Sequence, residues 1–176
     1  MDWQENMRNL WIERTVWIQN YITSLATGRR DLGFVSTQAI LNGTKIANIF
    51  SQFYGVEIGA QIEYYLTQQI LLLAELASTI KSGRDVAPLS VAWDANAEGL
   101  IEVLLRINPF WDASTWRELI QEQFRLQYES LIYLSDNQYA QGLSNLDLTQ
   151  DNARRTANVI IGGIEKQLAQ QVENGV

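Results

Sequence analysis

Residues 58–80, with the sequence IGAQIEYYLTQQILLLAELASTI, decide the fold. Apolar residues recur there every three or four positions, which places them on one stripe of an α-helix. The stripe consists of Ile58, Ile62, Leu66, Ile70, Leu73, Leu76 and Ile80. Because Leu71, Leu72 and Ala77 widen it in the second half, we expect this helix to lie in the middle of a helical assembly with neighbours on several sides.

One polar residue, Gln69, interrupts the stripe where another leucine would be expected. A buried side-chain amide needs hydrogen-bond partners, because burying it without them costs free energy. Gln69 therefore predicts either an internal polar network or a functional site, and the sequence leaves both open.

Helical periodicity continues on both sides of this segment. We predict five further helices, with ends near residues 2 and 26, 31 and 54, 85 and 108, 115 and 142, and 148 and 171. Three of them begin at a capping-box spacing, formed by Asp2 with Glu5, Thr115 with Glu118, and Asp147 with Gln150. Short connections between long helices favour antiparallel neighbours. The sequence thus predicts an all-α fold, in which a single domain over residues 1–176 forms an up-and-down antiparallel bundle of about six helices.

A weak internal similarity runs through the middle of the chain. When the sequence is aligned with itself at one constant shift, Asn42 falls on Asn96 and Gln69 falls on Gln123. Apolar positions of amphipathic helices match easily by chance, so the similarity depends on these two polar pairs. They suggest an internal duplication of a helical hairpin, with the second and third helices repeated as the fourth and fifth.

Composition excludes several kinds of chemistry. The chain has no cysteine and no histidine, which excludes disulfides, thiolate metal sites and a histidine base or metal ligand. Its 13 basic and 20 acidic residues give a formal net charge of -7, which argues against a nucleic-acid partner. The N-terminal residues lack a signal-peptide pattern, and no stretch is apolar enough to span a membrane. We therefore expect a cytoplasmic protein with no membrane partner.

Catalytic signatures are missing from the sequence as well. It contains no phosphate-binding glycine loop and no nucleophile elbow, and a ferritin-like di-iron site needs histidines that the chain lacks. A carboxylate site for Mg²⁺ or Ca²⁺ that uses Glu13, Glu75, Asp94 or Glu98 stays open, although their spacing matches no known loop. We predict a protein that is not an enzyme and has no catalytic residue, no metal ligand and no cofactor.

Polar and aromatic residues on apolar stripes are the candidate ligand-binding residues. They are Arg14, Trp17, Gln69, Glu75, Asn96 and Gln123. Arg14 faces inward because it lies at helical spacing between Leu10 and Tyr21. A buried guanidinium needs a carboxylate or several carbonyl groups, and Glu75 is the partner that we expect. The same residues also fit a satisfied internal network, or polar groups at the margin of the core with their ends in water.

Several segments resemble a group of small bacterial all-helical proteins of unassigned function that carry inward-facing histidines. The pattern of that group opens with Leu-Trp, a His three residues on and a further Trp, which here are Leu10, Trp11, Arg14 and Trp17. A Phe-Tyr-Gly turn at residues 53–55 and an Asn-Pro-Phe-Trp turn at residues 108–111 are its more specific matches. Further matches are Asn42, Gly59, Leu66, Gln69, Ile70, Trp93, Asn96, Ala97, Gln123, Phe124 and Gln150.

The resemblance implies a helical bundle with a metal or proton-handling site built from histidines. Each of those histidines is replaced here, by Arg14, Gln69, Gln123 and Gln150. Amide and guanidinium groups are poor ligands for transition metals. The resemblance therefore implies the scaffold much more than any activity.

Three functions stay open on this basis. The first is a non-catalytic bundle that binds a protein partner or associates with itself. The second is a small-molecule pocket at the centre of the bundle, in which Arg14 pairs with an anionic group of the ligand. The third is a metal protein of the ferritin type, which the absence of histidine disfavours.

Overall fold

The computed structural model describes residues 2–174, which contain seven helices and no strand. The helices are α1 (Trp3–Thr27), α2 (Leu32–Tyr54), α3 (Val56–Lys81), α4 (Ala87–Ile107), α5 (Ala113–Ser135), α6 (Tyr139–Ser144) and α7 (Leu146–Glu173). The six long helices pack against one another, which confirms the predicted all-α bundle. None of the helices between residues 2 and 174 has the combination of length and apolarity needed to cross a membrane.

Three of the long helices form the inside of this bundle. Helices α1, α3 and α5 contact one another, and each outer helix lies against two of them. Helix α2 contacts α1 and α3, α4 contacts α3 and α5, and α7 contacts α5 and α1, so the outer helices close a ring around the inner three. The fold thus consists of three antiparallel hairpins, α1–α2, α3–α4 and α5–α7. This is a six-helix arrangement and not a four-helix core with two added helices.

The same hydrogen bond recurs in each hairpin. An asparagine on the outer helix donates from Nδ2 to a backbone carbonyl on the inner helix. The three bonds join Asn42 to Leu10 (3.0 Å), Asn96 to Tyr65 (3.2 Å) and Asn152 to Leu119 (3.0 Å). The self-alignment of the sequence related the pair α2–α3 to the pair α4–α5. The hydrogen bond from Asn152 shows that the pair α7–α1 has the same relation. The internal repeat therefore has three units rather than two.

One polar residue from each long helix forms a layer across the bundle. These residues, which we call the polar layer, are Arg14, Asn42, Gln69, Asn96, Gln123 and Asn152. Along the chain they separate two hydrophobic clusters, one around Phe50 and Leu104 and the other around Ile22 and Leu73. The three inner helices contribute Arg14, Gln69 and Gln123, each four residues after the carbonyl that accepts the recurring hydrogen bond. The layer is therefore a product of the threefold repeat.

Helix α3 lies in the middle of the bundle, as predicted, because it contacts α1, α2, α4 and α5. One of its faces is open to solvent. Leu71 on this face is 52% exposed, and Glu75 and Ser78 also face solvent. These three residues lie at i, i+4 and i+7, which is one face of a helix.

Two predicted helix ends also differ from the structure. Asp112, not Thr115, caps α5, because its side chain accepts a hydrogen bond from the backbone N–H of Thr115 (2.9 Å). Helix α5 ends at Ser135 and does not reach Gly142, since Asn137 adopts a positive φ of 62° and the chain turns there into α6. Asp2 is the N-cap residue of α1, as predicted, although its side chain makes no capping hydrogen bond. The prediction for the last helix was wrong, because Asn145 is the N-cap residue of α7 and Asp147 lies in its first turn.

The two turns that carry the resemblance meet at one end of the bundle. Asn108 donates from Nδ2 to the Tyr54 hydroxyl (2.9 Å) and to Gln167 Oε1 on α7 (3.0 Å). Trp111 donates its indole N–H to a backbone carbonyl of α7 (2.9 Å). It lies so close to Gly163 that a Cβ atom there would be 1.9 Å from the indole nitrogen. Both turns therefore hold α2, α7 and the connection from α4 to α5 together.

Candidate functional site

Arg14 lies in the middle of the polar layer and is almost completely buried. Its side chain is 2% exposed, and Nη2 donates to the Leu66 carbonyl oxygen and to Gln69 Oε1, both at 3.2 Å. Within residues 2–174, no carboxylate lies at ion-pair distance from it. Burial lowers the pKa of the guanidinium to about 10, because a charged group loses favourable hydration there. Arg14 is therefore a buried cation at neutral pH whose hydrogen-bond acceptors are uncharged.

The predicted pair between Arg14 and Glu75 was wrong. Glu75 is exposed on the outward face of α3, whereas Gln69 on the same helix faces inward. Six residues along a helix is not a multiple of the helical repeat, so the two side chains point to different sides. The partner of Arg14 is the Gln69 amide, with the Leu66 carbonyl one turn earlier.

Several buried donors around Arg14 lack a hydrogen-bond partner. They include the Nε and Nη1 atoms of Arg14 itself and the indole nitrogens of Trp11 and Trp116. Three acceptors of the polar layer and its surroundings, Asn42 Oδ1, Asn96 Oδ1 and Gln127 Oε1, are also without a partner. Buried polar groups are normally satisfied, so a group of this kind calls for a specific explanation. The excess of donors over acceptors points to an occupant that accepts hydrogen bonds.

Two small cavities adjoin these groups. A cavity of about 20 Å³ borders Gln69, Trp116 and Gln123, and one of about 10 Å³ borders Arg14, Gln123 and Gln127. Trp11 and Gln123 line both cavities, so their side chains form the wall between them. A single water needs about 10–15 Å³ of such space. The larger cavity therefore has room for one or two water-sized groups and the smaller cavity for no more than one.

The structure brings together three of the six candidate residues. Arg14, Gln69 and Gln123 meet at these cavities, while Asn96 lines neither of the two and donates its Nδ2 to the Tyr65 carbonyl. Trp17 lies at the junction of α1 and α2, where its indole donates to Glu13 Oε1 at 3.0 Å and its ring contacts Phe34. Trp17 and the exposed Glu75 are thus placed outside the centre.

Residues that the sequence reasoning missed complete the centre. Gln127 is 4% exposed and lies one turn after Gln123 on α5. Asn152 donates both to the Leu119 carbonyl and to Glu122 Oε2 (2.9 Å). Two signals could have found them, namely the four-residue spacing from Gln123 and the recurrence of asparagine on every outer helix. Trp11 belongs to the Leu-Trp pattern of the resemblance, but nothing in the sequence separates it from an ordinary core tryptophan on an apolar stripe.

Gln150 does not join this group. It is partly exposed on α7 and accepts a long hydrogen bond of 3.5 Å from Arg154 Nη2. The inward positions beside it belong to Thr149 and Asn152, which line the smaller cavity. Of the four positions that hold histidine in the resembling group, three therefore converge in the bundle and the fourth does not.

The chemistry available at this centre is that of binding. Amides do not titrate near neutral pH and Arg14 holds its proton there, so the layer offers no group to take up and release a proton. Between residues 2 and 174, no three carboxylates are close enough together to hold a metal ion. Glu13 and Glu98 are each paired instead, with Lys45 (3.4 Å) and Arg117 (2.6 Å).

Comparisons of the chain with protein-family models, with curated proteins and with solved structures found no match. The resemblance to histidine-bearing bacterial bundles therefore stays a prediction.

Proposed function

We propose that this chain is a non-catalytic binding protein whose polar layer holds a small anion beside Arg14. The proposal rests on one observation, a fully buried guanidinium with no carboxylate of residues 2–174 at ion-pair distance. Burying an unpaired charge costs several kcal/mol even after the surroundings relax. A bound anion supplies the missing opposite charge and accepts the hydrogen bond that Arg14 Nε does not make with residues 2–174, whereas Nη1 lies towards Gly43 on α2.

The size of the cavities limits the ligand. The volumes of about 20 and 10 Å³ accommodate an ion or a group of a few atoms, and a larger organic molecule would require the inner helices to separate. We therefore restrict the proposed binding site to the residues that can hold an anion, which are Arg14, Gln69 and Gln123. Asn96, Glu75 and Trp17 are not part of it.

The proposal is tested by measuring urea unfolding in a series of sodium salts at constant ionic strength. Gluconate, which is too large for the cavities, is replaced stepwise by chloride, nitrate, formate or acetate. A ligand that binds only the folded state stabilises it by about 2.7 kcal/mol at a concentration of 100 times its Kd. We expect at least one small anion to stabilise the wild-type protein and to leave Arg14→Met unaffected.

The matched control is Arg155→Met, which removes an arginine from the surface, where it pairs with Glu118 and Glu122. This variant should respond to the anions as the wild type does. If every salt shifts the stability of Arg14→Met and of the wild type equally, Arg14 is not an anion site and the proposal is wrong.

Binding of a protein partner, or self-association, stays a separate prediction. It rests on exposed hydrophobic side chains such as Phe34 (62% exposed), Val56 (78%) and Val91 (69%). These lie on three different helices, α2, α3 and α4, and do not by themselves identify one interface. Sedimentation analysis across a concentration series would measure self-association directly.

A further inference from the structure

We infer that the anion held by the polar layer is a single halide ion, with chloride as the ordinary occupant. This inference rests on the proposed anion-binding function and adds the chemical class of the ligand. Three features carry it: the kind of groups that lack partners, the size of the space, and the helices from which the donors come.

Among the residues that line the two cavities, the buried atoms without a partner are four N–H groups and one acceptor. Guanidinium and indole N–H groups cannot accept a hydrogen bond, so Trp11, Arg14 and Trp116 all require an acceptor. A water that accepted two of these bonds would still have to donate two of its own. Gln127 Oε1 is the one unpartnered acceptor among the residues that line the two cavities. A water there would find one acceptor, Gln127 Oε1, for its two hydrogen atoms, whereas an ion that only accepts hydrogen bonds needs none.

The space selects against oxyanions. Nitrate, carboxylates and phosphate are planar or tetrahedral groups of several heavy atoms, and each needs several times the volume that holds one water. A monatomic ion fits once the cavity of about 20 Å³ and its neighbour of about 10 Å³ are joined. Gln123 forms part of the wall between them and is partly exposed, so a rotation of its side chain joins the two spaces.

The donors also approach from different directions. Trp11 and Arg14 extend from α1, Trp116 extends from α5, and Gln69 lies opposite on α3. A halide has no preferred direction for accepting hydrogen bonds, unlike the planar lone pairs of a carboxylate. The threefold arrangement of inner helices therefore surrounds a spherical ion better than a flat one.

Bromide, which replaces chloride and scatters anomalously, is the probe for this inference. We expect crystals of the full chain grown in sodium bromide to show an anomalous peak between Trp11, Arg14 and Gln123. The peak should be absent from crystals of Arg14→Met. In solution, bromide should quench part of the tryptophan fluorescence with a saturable dependence on concentration, on top of the linear quenching of exposed indoles.

Two variants keep the test decisive if Arg14→Met folds poorly. Trp11→Phe keeps the ring and removes one donor, and it should raise the apparent Kd for bromide by about tenfold. Arg155→Met should leave the Kd unchanged. A water in place of bromide, together with the absence of a saturable phase, overturns the inference. Stabilisation of the wild type by formate or acetate but not by halides would also overturn it, while leaving the proposed anion-binding function intact.

Discussion

Replacing Arg14 with methionine tests whether the buried guanidinium has a charged partner. Methionine has a similar length and no charge, so it removes the cation without leaving a large cavity. The comparison should be made in a gluconate buffer with urea as the denaturant, because guanidinium chloride would supply the proposed ligand.

The expected size of the effect follows from the surroundings of Arg14. Burial lowers its pKa from the ordinary value of a guanidinium to about 10, which corresponds to a cost of about 3 kcal/mol for keeping the charge inside the folded protein at neutral pH. Methionine relieves this cost but loses two hydrogen bonds, to Leu66 and Gln69, that contribute about 1.5–3 kcal/mol each. We therefore expect Arg14→Met to lower the free energy of unfolding by about 0–3 kcal/mol, which is the contribution of the lost hydrogen bonds minus the relieved cost of burial.

A charged partner would give a different result. If a carboxylate faced Arg14, the variant would leave that carboxylate buried and unpaired, and stability would fall by about 3–5 kcal/mol. A loss of that size would refute the assignment of Arg14 as a cation without a counter-charge. Arg155→Met serves as the control and should cost no more than about 1 kcal/mol, because its ion pairs lie at the surface.

The pH dependence offers a second, independent measurement. A base whose pKa is lowered by folding destabilises the folded state fully below the lowered pKa, and the penalty declines as pH rises towards the unfolded value. The stability of the wild type relative to Arg14→Met should thus be constant from pH 7 to about 9 and rise above pH 10. A flat difference up to pH 11 would contradict the lowered pKa.

Three further outcomes are expected. Gly163→Ala should lower the free energy of unfolding in urea by about 1–3 kcal/mol, since the new Cβ would overlap Trp111. Gly162→Ala should raise it by up to about 1 kcal/mol, because a Cβ there meets nothing within 4 Å. Equal effects of the two substitutions would contradict the close approach of Gly163 and Trp111. Hydrogen bonds from Ser114 and Thr115 lower the pKa of Asp112 to about 2. Ionised Asp112 should therefore stabilise the protein above about pH 4, and this effect should be lost as pH falls towards 2. An NMR titration that gives an ordinary pKa for Asp112 would rule this out. The triple variant Arg14→His, Gln69→His, Gln123→His should bind Zn²⁺ in isothermal titration calorimetry, because three imidazoles can hold the ion together. Gln69→His alone should not bind it. If the triple variant does not bind Zn²⁺, the three side chains do not converge on one point.

Helical periodicity was sufficient to predict the fold class and the inward direction of Arg14. Both depend on residues within one helix, such as Leu10 and Tyr21, whose spacing is visible in the sequence. The partner of Arg14 was not predictable in this way. It lies 52 and 55 residues away, at Leu66 and Gln69, and depends on which faces of α1 and α3 meet. Glu75 was predicted as the partner because it is negatively charged. The sequence does not reveal how two helices are positioned along each other, so the true partners could not be identified from it.

The threefold repeat was only partly visible for a similar reason. The shift that aligns Asn42 with Asn96 carries Asn96 onto Gln150, just short of the next asparagine, Asn152. The connection that contains α6 lengthens the third hairpin and breaks the constant spacing. A polar contact that recurs in space therefore became recognisable only once the helices were in place.

The ring of outer helices has a consequence for synthesis on the ribosome. Helix α1 packs against α7, although the other five helices lie between them in the chain. The groove between α1 and α5 is covered by α7 alone, so it faces water while the nascent chain lengthens. A chaperone that recognises apolar segments has a docking place there until the final long helix emerges. A chain whose translation stops before α7 should be incomplete and prone to aggregate through this exposed groove.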